Sequence, residues 1–193
     1  AIEDTVKVYK QLVKDGYKNI ILSGDSAGGG LALASTMILR DEGFKLPAAL
    51  VLLSPWTDLT GSGDSVTRKK DRDPLISPEL LEVFAIKYAG KEDLKNPLIS
   101  PLFGDFTSFP PTLIQVGTEE VLLDDSTRLT KKMKADGVLV EMEIWEGMMH
   151  VFQWMAGLIP EANDSIKQIG AFINRQYDAE EPKEKSKFHK ELY

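Results

Sequence analysis

The stretch Asn19-Ile20-Ile21-Leu22-Ser23-Gly24-Asp25-Ser26-Ala27-Gly28 joins a short apolar run to a glycine-rich turn. The apolar run, residues 19–23, is typical of a fully buried strand. Residues 24–28 match the Gly-x-Ser-x-Gly pattern of a nucleophile elbow, in which a serine sits on a sharp turn between a strand and a helix. Helical spacing of apolar residues follows over 31–40, so this context predicts a reactive hydroxyl at Ser26.

Three consecutive glycines, Gly28, Gly29 and Gly30, support this interpretation. Each glycine inside a helix costs about 1 kcal/mol relative to alanine, so three of them at a helix start indicate close packing or access to the backbone. An alternative is a plain glycine-rich loop that binds phosphate at a helix N-terminus. The sequence contains neither the G-x-G-x-x-G pattern nor the Walker lysine pattern of such loops, which favours the elbow.

Three further segments are predicted as strands. Residues 48–53 are a continuous apolar run and residues 112–116 are a mainly apolar one. Residues 139–145 alternate apolar and acidic side chains, which predicts an edge strand with one face in solvent. Helices are predicted from apolar spacing and capping residues over 2–15, 78–88, 126–135 and around 166–173. Strands that alternate with helices predict an α/β fold with a mainly parallel sheet and helices on both faces.

The composition argues against several classes of protein, among them disulfide-rich, nucleic-acid-binding and membrane-spanning proteins. The chain has 193 residues, of which 42% are hydrophobic, a formal net charge of -7 and no cysteine. The lack of cysteine excludes a disulfide framework and a thiolate metal site, and the negative charge argues against nucleic acid as a partner. No apolar run is long enough for a membrane span, and residues 1–10 do not resemble a signal peptide. The interpretation is a cytoplasmic enzyme with one domain over 1–178 and a charged, solvated tail over 179–193.

A serine hydroxyl needs a base within hydrogen-bond reach before it acts as a nucleophile. The chain has two histidines, His150 and His189. His189 lies in the charged tail and is interpreted as a solvated bystander. His150 follows the predicted edge strand in a loop, where catalytic groups often lie; the alternative is a loop or core histidine with an ordinary hydrogen bond. His150 is therefore the candidate base.

The acid that orients such a histidine lies between the serine and the histidine in this type of fold. Four carboxylates follow the third predicted strand, Glu119, Glu120, Asp124 and Asp125. The two glutamates lie nearer the strand end, and the two aspartates are predicted to cap the helix that begins near residue 126. At this point Glu119 and Glu120 remain equal candidates.

Five motifs together resemble the hormone-sensitive lipase family of α/β-hydrolase fold serine esterases. The likeness extends from the first helix to about Ile173. The motifs are residues 24–29 (G-D-S-A-G-G), 54–58 (S-P-W-T-D), 96–112 (N-P, S-P-L and F-P-P-T), 117–124 (G-x-x-E-V-L-x-D) and 147–152 (G-M-M-H-V-F). In the family's G-x-x-D-x-L-x-D motif the first acid orients the catalytic histidine. The resemblance therefore selects Glu120 over Glu119, with glutamate in place of the usual aspartate.

The resemblance implies a serine carboxylesterase that hydrolyses short- to medium-chain carboxylic esters through an acyl-enzyme. It implies a small-molecule ester substrate and neither a metal nor another cofactor. The catalytic residues would be Ser26 as nucleophile, His150 as base and Glu120 as the orienting acid. The backbone N–H of Ala27 is expected to donate a hydrogen bond to the oxyanion.

The resemblance also implies parts that these 193 residues lack. The family has an N-terminal cap, four earlier strands and an H-G-G-G loop that supplies further oxyanion donors. We therefore expect the C-terminal part of a catalytic domain, holding strands 5 to 8 of the α/β-hydrolase fold, as a portion of a longer esterase. The strand at 19–23 would then have one unpaired edge. Such an edge can pair with a second chain, so a homo-oligomer is compatible with the sequence.

Three other interpretations stay open at this point. The chain could be a catalytically silent fragment, or a hydrolase-fold ligand-binding protein that has lost the chemistry. Such binding proteins usually lack an intact triad, whereas Ser26, Glu120 and His150 are all present. An amidase or peptidase on the same scaffold would use the same three residues.

Overall fold

The computed structural model describes residues 1–180, in which four strands alternate with helices. The strands are β1 (Ile21–Asp25), β2 (Ala49–Leu53), β3 (Thr112–Gly117) and β4 (Val140–Trp145). The helices are α1 (Ile2–Lys14), α2 (Ala27–Asp41), α3 (Asp64–Arg68), α4 (Pro78–Ala89), α5 (Leu123–Ala135) and α6 (Pro160–Glu180). Two short 3₁₀ helices lie at Pro101–Phe103 and Phe152–Met155.

The four strands form one parallel sheet in the order β1-β2-β3-β4. The α/β fold with a mainly parallel sheet is confirmed, and β4 lies at an edge as predicted. Within the described residues β1 has one strand neighbour, β2, so its other edge is unpaired there. Because all four strands are parallel, their carboxyl ends lie at the same edge of the sheet.

Helices cover both faces of the sheet, as expected. Alternate residues of a strand point to opposite faces. Leu50 and Leu52 of β2 pack in one core cluster with residues of α2 and α5, such as Leu33 and Leu129. The intervening Val51 packs in a second cluster with Phe172 of α6. The apolar runs in the sequence are continuous because both faces of these strands are buried.

The alternating pattern of β4 is only partly realised. Glu141 is exposed as predicted, but Glu143 is half-buried and its carboxylate accepts a hydrogen bond from Gln115 Nε2 at 2.8 Å. Ile144, predicted on the buried face, is 52% exposed. A polar partner on β3 therefore decides the environment of Glu143, and the alternation alone does not reveal such a partner.

Several boundaries differ from the sequence prediction. β1 is displaced by two residues toward the elbow, and α2 begins at residue 27 instead of 31, so the three glycines lie inside the helix. The short helix α3 was not predicted, since five residues carry little periodicity. The predicted charged tail begins at residue 179, where the backbone is still helical in α6, and the rest of it, with His189, lies outside the described residues.

The prediction that Asp124 and Asp125 cap a helix was wrong. The helix α5 begins at residue 123, so both aspartates lie in its first turn. Asp124 accepts a hydrogen bond from the backbone N–H of Ser65 at 2.9 Å. Asp125 is buried and accepts from the backbone N–H groups of Thr57 at 2.7 Å and Asp58 at 2.8 Å. The two carboxylates thus hold distant segments onto α5, because those segments present backbone donors that have no partner of their own.

No helix within residues 1–180 combines the length and the apolar character that a membrane crossing requires.

Two helical glycines should respond oppositely to alanine. A Cβ at Gly30 in α2 would lie 2.4 Å from the carbonyl oxygen of Trp56, whereas a Cβ at Gly170 in α6 would have no neighbour within 4 Å. Gly170→Ala should raise the free energy of unfolding by about 0.5–1 kcal/mol through helix propensity alone. Gly30→Ala should lower it despite the same gain in propensity. Urea denaturation of the two variants measures both changes, and an equal shift in the same direction would contradict the packing.

The burial of Asp125 should make stability depend on pH. Burial raises the pKa of Asp125 from 3.8 to about 7, against the hydrogen bonds from Thr57 and Asp58, which lower it. The folded-state pKa lies above the unfolded value. Asp125 therefore contributes most to the free energy of unfolding below pH 3.8, where it is protonated in both states, and this contribution is lost as the pH rises through 7.

Asp125→Asn stays neutral across this range. Between about pH 4 and pH 8 its free energy of unfolding should therefore rise relative to the wild type, by at most about 4 kcal/mol. Urea denaturation at several pH values gives this difference. Parallel stability curves for the two proteins would rule the explanation out.

Candidate active site

Four loops leave the carboxyl edge of the sheet and carry the candidate residues. Ser26 follows β1, Ser54 follows β2, Glu120 follows β3 and His150 follows β4. A crevice at the carboxyl ends of parallel strands is the usual place for ligands in open α/β sheets. The strand order places Ser26 and His150, which are far apart in the sequence, at the same edge of the sheet.

Ser26 occupies a strained turn. Its φ of 52° and ψ of -121° lie outside the regions that residues with a side chain usually adopt. The turn is held by backbone hydrogen bonds to the end of β2, from Ser26 N to Leu53 O at 2.9 Å and from Trp56 N to Ser26 O at 2.9 Å. Such a tightly held turn between a strand and a helix is the backbone of an elbow.

Close packing explains the glycines around the turn. A Cβ at Gly24 would lie 2.2 Å from the carbonyl oxygen of Gly28, and one at Gly29 would lie 2.7 Å from Pro55 Cβ. A Cβ at Gly28 would meet only Asp25 Oδ1, at 3.8 Å. The predicted tight packing therefore applies to Gly24, Gly29 and Gly30, while Gly28 has room for a side chain.

Glu120 and His150 form a buried pair. His150 Nδ1 lies 2.9 Å from Glu120 Oε2, and the two residues are 5% and 0% exposed. Because a carboxylate only accepts hydrogen bonds, Nδ1 carries the proton in this contact, and in the neutral ring Nε2 keeps its lone pair. Glu120 Oε1 accepts two more hydrogen bonds, from the Gly117 N–H at 2.6 Å and from Ser54 Oγ at 2.7 Å.

Glu119 has different partners. Its carboxylate lies 2.7 Å from Arg72 Nε and 3.5 Å from Lys69 Nζ. Burial acts to raise the pKa of Glu119, but the charges of Arg72 and Lys69 outweigh it and lower the pKa. Of the two glutamates that the strand position left open, only Glu120 contacts the histidine within the described residues.

The loop that carries His150 crosses the end of the sheet toward Ser26. Beyond β4 it passes over the end of β3, where Glu119 N donates to Met148 O at 3.0 Å. It then reaches the end of β2, where Val151 N donates to Ser54 Oγ at 3.2 Å. The strand β2 is the neighbour of β1, which ends beside Ser26. The hydrogen bonds of the described residues do not include one between Ser26 Oγ and the imidazole.

A mainly apolar pocket opens beside Ser26. Its volume is about 640 Å³, and its lining includes Ser26, Ala27, Trp56, Leu81, Phe84 and Tyr88. A pocket of this size accommodates a small organic ligand. Ala27 is the first residue of α2, so its N–H has no acceptor within the helix.

Two polar residues to which the sequence assigned no role, Ser54 and Gln115, support the loops around His150. Ser54 has been described as a partner of Glu120. Gln115 of β3 is fully buried, and its Oε1 accepts from Gln153 Nε2 at 3.0 Å and from Ser165 Oγ at 2.9 Å. Gln153 lies in the 3₁₀ helix that follows His150, so Gln115 anchors that segment to the sheet. A glutamine in a strand that is otherwise continuously apolar was the available signal for this role.

No group of three or more His, Cys, Asp or Glu side chains within residues 1–180 is arranged to hold a metal ion.

Known proteins resemble this chain over most of its length. A sequence model of the α/β-hydrolase fold matches residues 1–154. An acetyl-hydrolase of Streptomyces hygroscopicus is 43% identical over 175 residues, which are 90% of this chain and 58% of the relative. An esterase of Acinetobacter venetianus is 39% identical over 176 residues, which are 89% of this chain and 58% of the relative. The chain therefore spans less than two thirds of the length of these relatives.

Solved structures agree with these relatives. An esterase from the bacterial hormone-sensitive lipase family is 44% identical and superimposes with a TM-score of 0.89, over 91% of this chain and 60% of that one. A crystal of the protein EstE5 that was soaked with p-nitrophenyl butyrate gives a TM-score of 0.89 at 41% identity, over 92% of this chain and 60% of that one. The chain thus belongs to the α/β-hydrolase fold family, in the branch that contains the bacterial hormone-sensitive lipase-type esterases.

Proposed function

We propose that this chain is the C-terminal part of the catalytic domain, over residues 1–178, of a serine carboxylesterase for short- to medium-chain esters. The observation that carries the proposal is the buried contact of 2.9 Å between His150 Nδ1 and Glu120 Oε2, at the same sheet edge as the strained turn of Ser26. The esterase relatives and the apolar pocket beside Ser26 support the same reaction class. A carboxylate, an imidazole and a hydroxyl in this order form the set that acyl transfer requires.

The reaction proceeds in two steps, acylation of Ser26 and hydrolysis of the acyl-enzyme. His150 Nε2 accepts the proton of Ser26 Oγ as this oxygen bonds to the ester carbonyl carbon, and the carbonyl electron pair moves to oxygen. Glu120 stabilises the imidazolium through Nδ1. The electron pair on the oxyanion then re-forms the C=O bond as the C–O bond to the alcohol breaks, and His150 gives its proton to the departing alcohol. The acyl group stays bonded to Ser26 Oγ as an acyl-enzyme. Water repeats the sequence on the acyl-enzyme and releases the acid and the free Ser26 hydroxyl.

The oxyanion needs preorganised donors. The N–H of Ala27 has no acceptor within α2 and adjoins the pocket, which fits it for this role. The hormone-sensitive lipase resemblance assigns further donors to an H-G-G-G loop that is not among the 193 residues. Each missing donor lowers kcat by about 10²–10³ in comparable hydrolases, so the rate depends strongly on whether those donors are present.

The lining of the pocket favours a substrate with an apolar group. Leu81, Phe84 and Tyr88, all from α4, face the space beside Ser26, and such side chains bind hydrocarbon well. Lys87 of the same helix also lines the pocket. The strained turn of Ser26 is compatible with a reacting side chain, and it is one of four positive-φ residues other than glycine in the described part of the chain.

Removal of the proposed nucleophile should abolish turnover. Ser26→Ala in the purified protein should reduce p-nitrophenyl butyrate hydrolysis by up to about 10⁶-fold when all oxyanion donors are present, and by less when they are missing, because no other hydroxyl occupies the elbow. The release of p-nitrophenolate measures the rate, and Ser35→Ala, which alters a buried serine of α2, is the control. Equal rates for the wild type and Ser26→Ala would refute the esterase proposal in favour of a silent or ligand-binding protein.

The two adjacent glutamates should behave differently. Glu120→Ala should lower kcat by about 10⁴-fold, since the imidazole loses the group that sets its tautomer and orientation. Glu119→Ala removes the ion pairs with Arg72 and Lys69 and a hydrogen bond from Thr118 Oγ1, none of which involves the histidine, and should leave kcat within a few-fold of the wild type. The same assay on both variants decides the matter, and the reverse ranking would show that the acid is Glu119.

A further inference from the structure

Ser54 occupies an unusual position at the end of β2. The residue is fully buried, and its φ of 47° lies in the left-handed region that residues with a side chain seldom adopt. Its backbone N–H donates to Gln115 O at 2.7 Å, which ties the turn to β3. Strain at a buried, hydrogen-bonded position indicates that the surrounding structure enforces the geometry.

The Ser54 hydroxyl bridges the proposed acid and the loop of the proposed base. Its Oγ donates to Glu120 Oε1 at 2.7 Å and accepts from Val151 N at 3.2 Å. A hydroxyl has one proton and two lone pairs, and a carboxylate has no proton to give, so this assignment of donor and acceptor follows from the partners. Val151 directly follows His150, so one hydroxyl contacts both loops.

The bridge determines which carboxylate oxygen faces the imidazole. Oε1 is occupied by Ser54 Oγ and by the Gly117 N–H, which leaves Oε2 for His150 Nδ1. Without the hydroxyl, the carboxylate would keep a single donor on Oε1 and could rotate away from Nδ1. The backbone N–H of Val151 would also lose its acceptor in a buried site, and an unpaired buried donor favours local rearrangement.

We propose that Ser54 is a positioning residue that holds Glu120 and the His150 loop in register for proton transfer. The proposal rests on the function proposed above for Ser26, Glu120 and His150. Ser54 touches neither the substrate nor the reacting atoms, so it acts only through these two partners.

Ser54→Ala tests the role, and Ser35→Ala is its matched control. Both serines are fully buried, but Ser35 Oγ has no hydrogen-bond partner within the described residues. Ser54→Ala should lower kcat for p-nitrophenyl butyrate by about 10- to 100-fold with KM nearly unchanged, as for groups that orient a catalytic side chain. Ser35→Ala should leave both constants at the wild-type values.

A proton NMR signal tests the same contact without turnover. The proton on His150 Nδ1 is shielded from solvent exchange by its buried bond to Glu120 and should be visible in the wild type and in Ser35→Ala. It should broaden or vanish in Ser54→Ala. If wild-type turnover is absent while this pattern holds, the esterase proposal fails and the positioning role of Ser54 stands.

A double-mutant cycle separates positioning from general loss of stability. In a Glu120→Gln background, Ser54→Ala should reduce kcat much less than in the wild type, because residues that act through one another are not additive. Ser54→Gly gives a second variant that suits the positive φ and removes the same hydroxyl, should the alanine variant fold poorly. An unchanged NMR signal with a wild-type kcat, or fully additive losses, would overturn the role of Ser54.

Discussion

The buried hydrogen bond between His150 Nδ1 and Glu120 Oε2 joins two loops that leave neighbouring strands. Burial of a charged or polar group without a partner costs free energy, and both side chains are at most 5% exposed, so this contact constrains the loops around it. The Gly117 N–H and the Ser54 hydroxyl donate hydrogen bonds to the other oxygen of the carboxylate. The loop after β4 must therefore fold back across the ends of β3 and β2, and this path brings the histidine toward the serine turn.

Close approach of backbones is the second constraint on this edge of the sheet. Gly29 and Gly30 lie against Pro55 and the carbonyl oxygen of Trp56, where a side chain would collide. The turn after β2 and the turn after β1 are thus packed together, and the hydrogen bond from Trp56 N to Ser26 O joins them. Strained angles at Ser26 and Ser54 persist because both turns are held from several sides.

Buried carboxylates also organise the structure away from the candidate site. Burial alone would raise the pKa of Asp58, but hydrogen bonds from Ser62, Thr60 and Arg128 outweigh it and lower the pKa. Burial raises the pKa of Asp125, which lies beside it, and the hydrogen bonds that Asp125 accepts from Thr57 and Asp58 do not offset this effect. The two carboxylates attach the segment after Trp56, which lines the pocket, to α5. Hence α5 supports both the pocket wall and the loop that carries Glu120.

Patterns in the sequence predicted the four strands, their parallel arrangement and the candidate residues Ser26 and His150, and the family resemblance selected Glu120 over Glu119. These predictions were possible because burial on both faces leaves continuous apolar runs, and because the elbow and the acid and histidine motifs are local patterns. The partners of Asp124 and Asp125, the environment of Glu143 and the hydrogen bonds of Ser54 became visible only in the folded chain. These depend on contacts such as that of Ser54 with Glu120, 66 positions apart, and the spacing of residues along a chain does not encode which distant donor meets which acceptor.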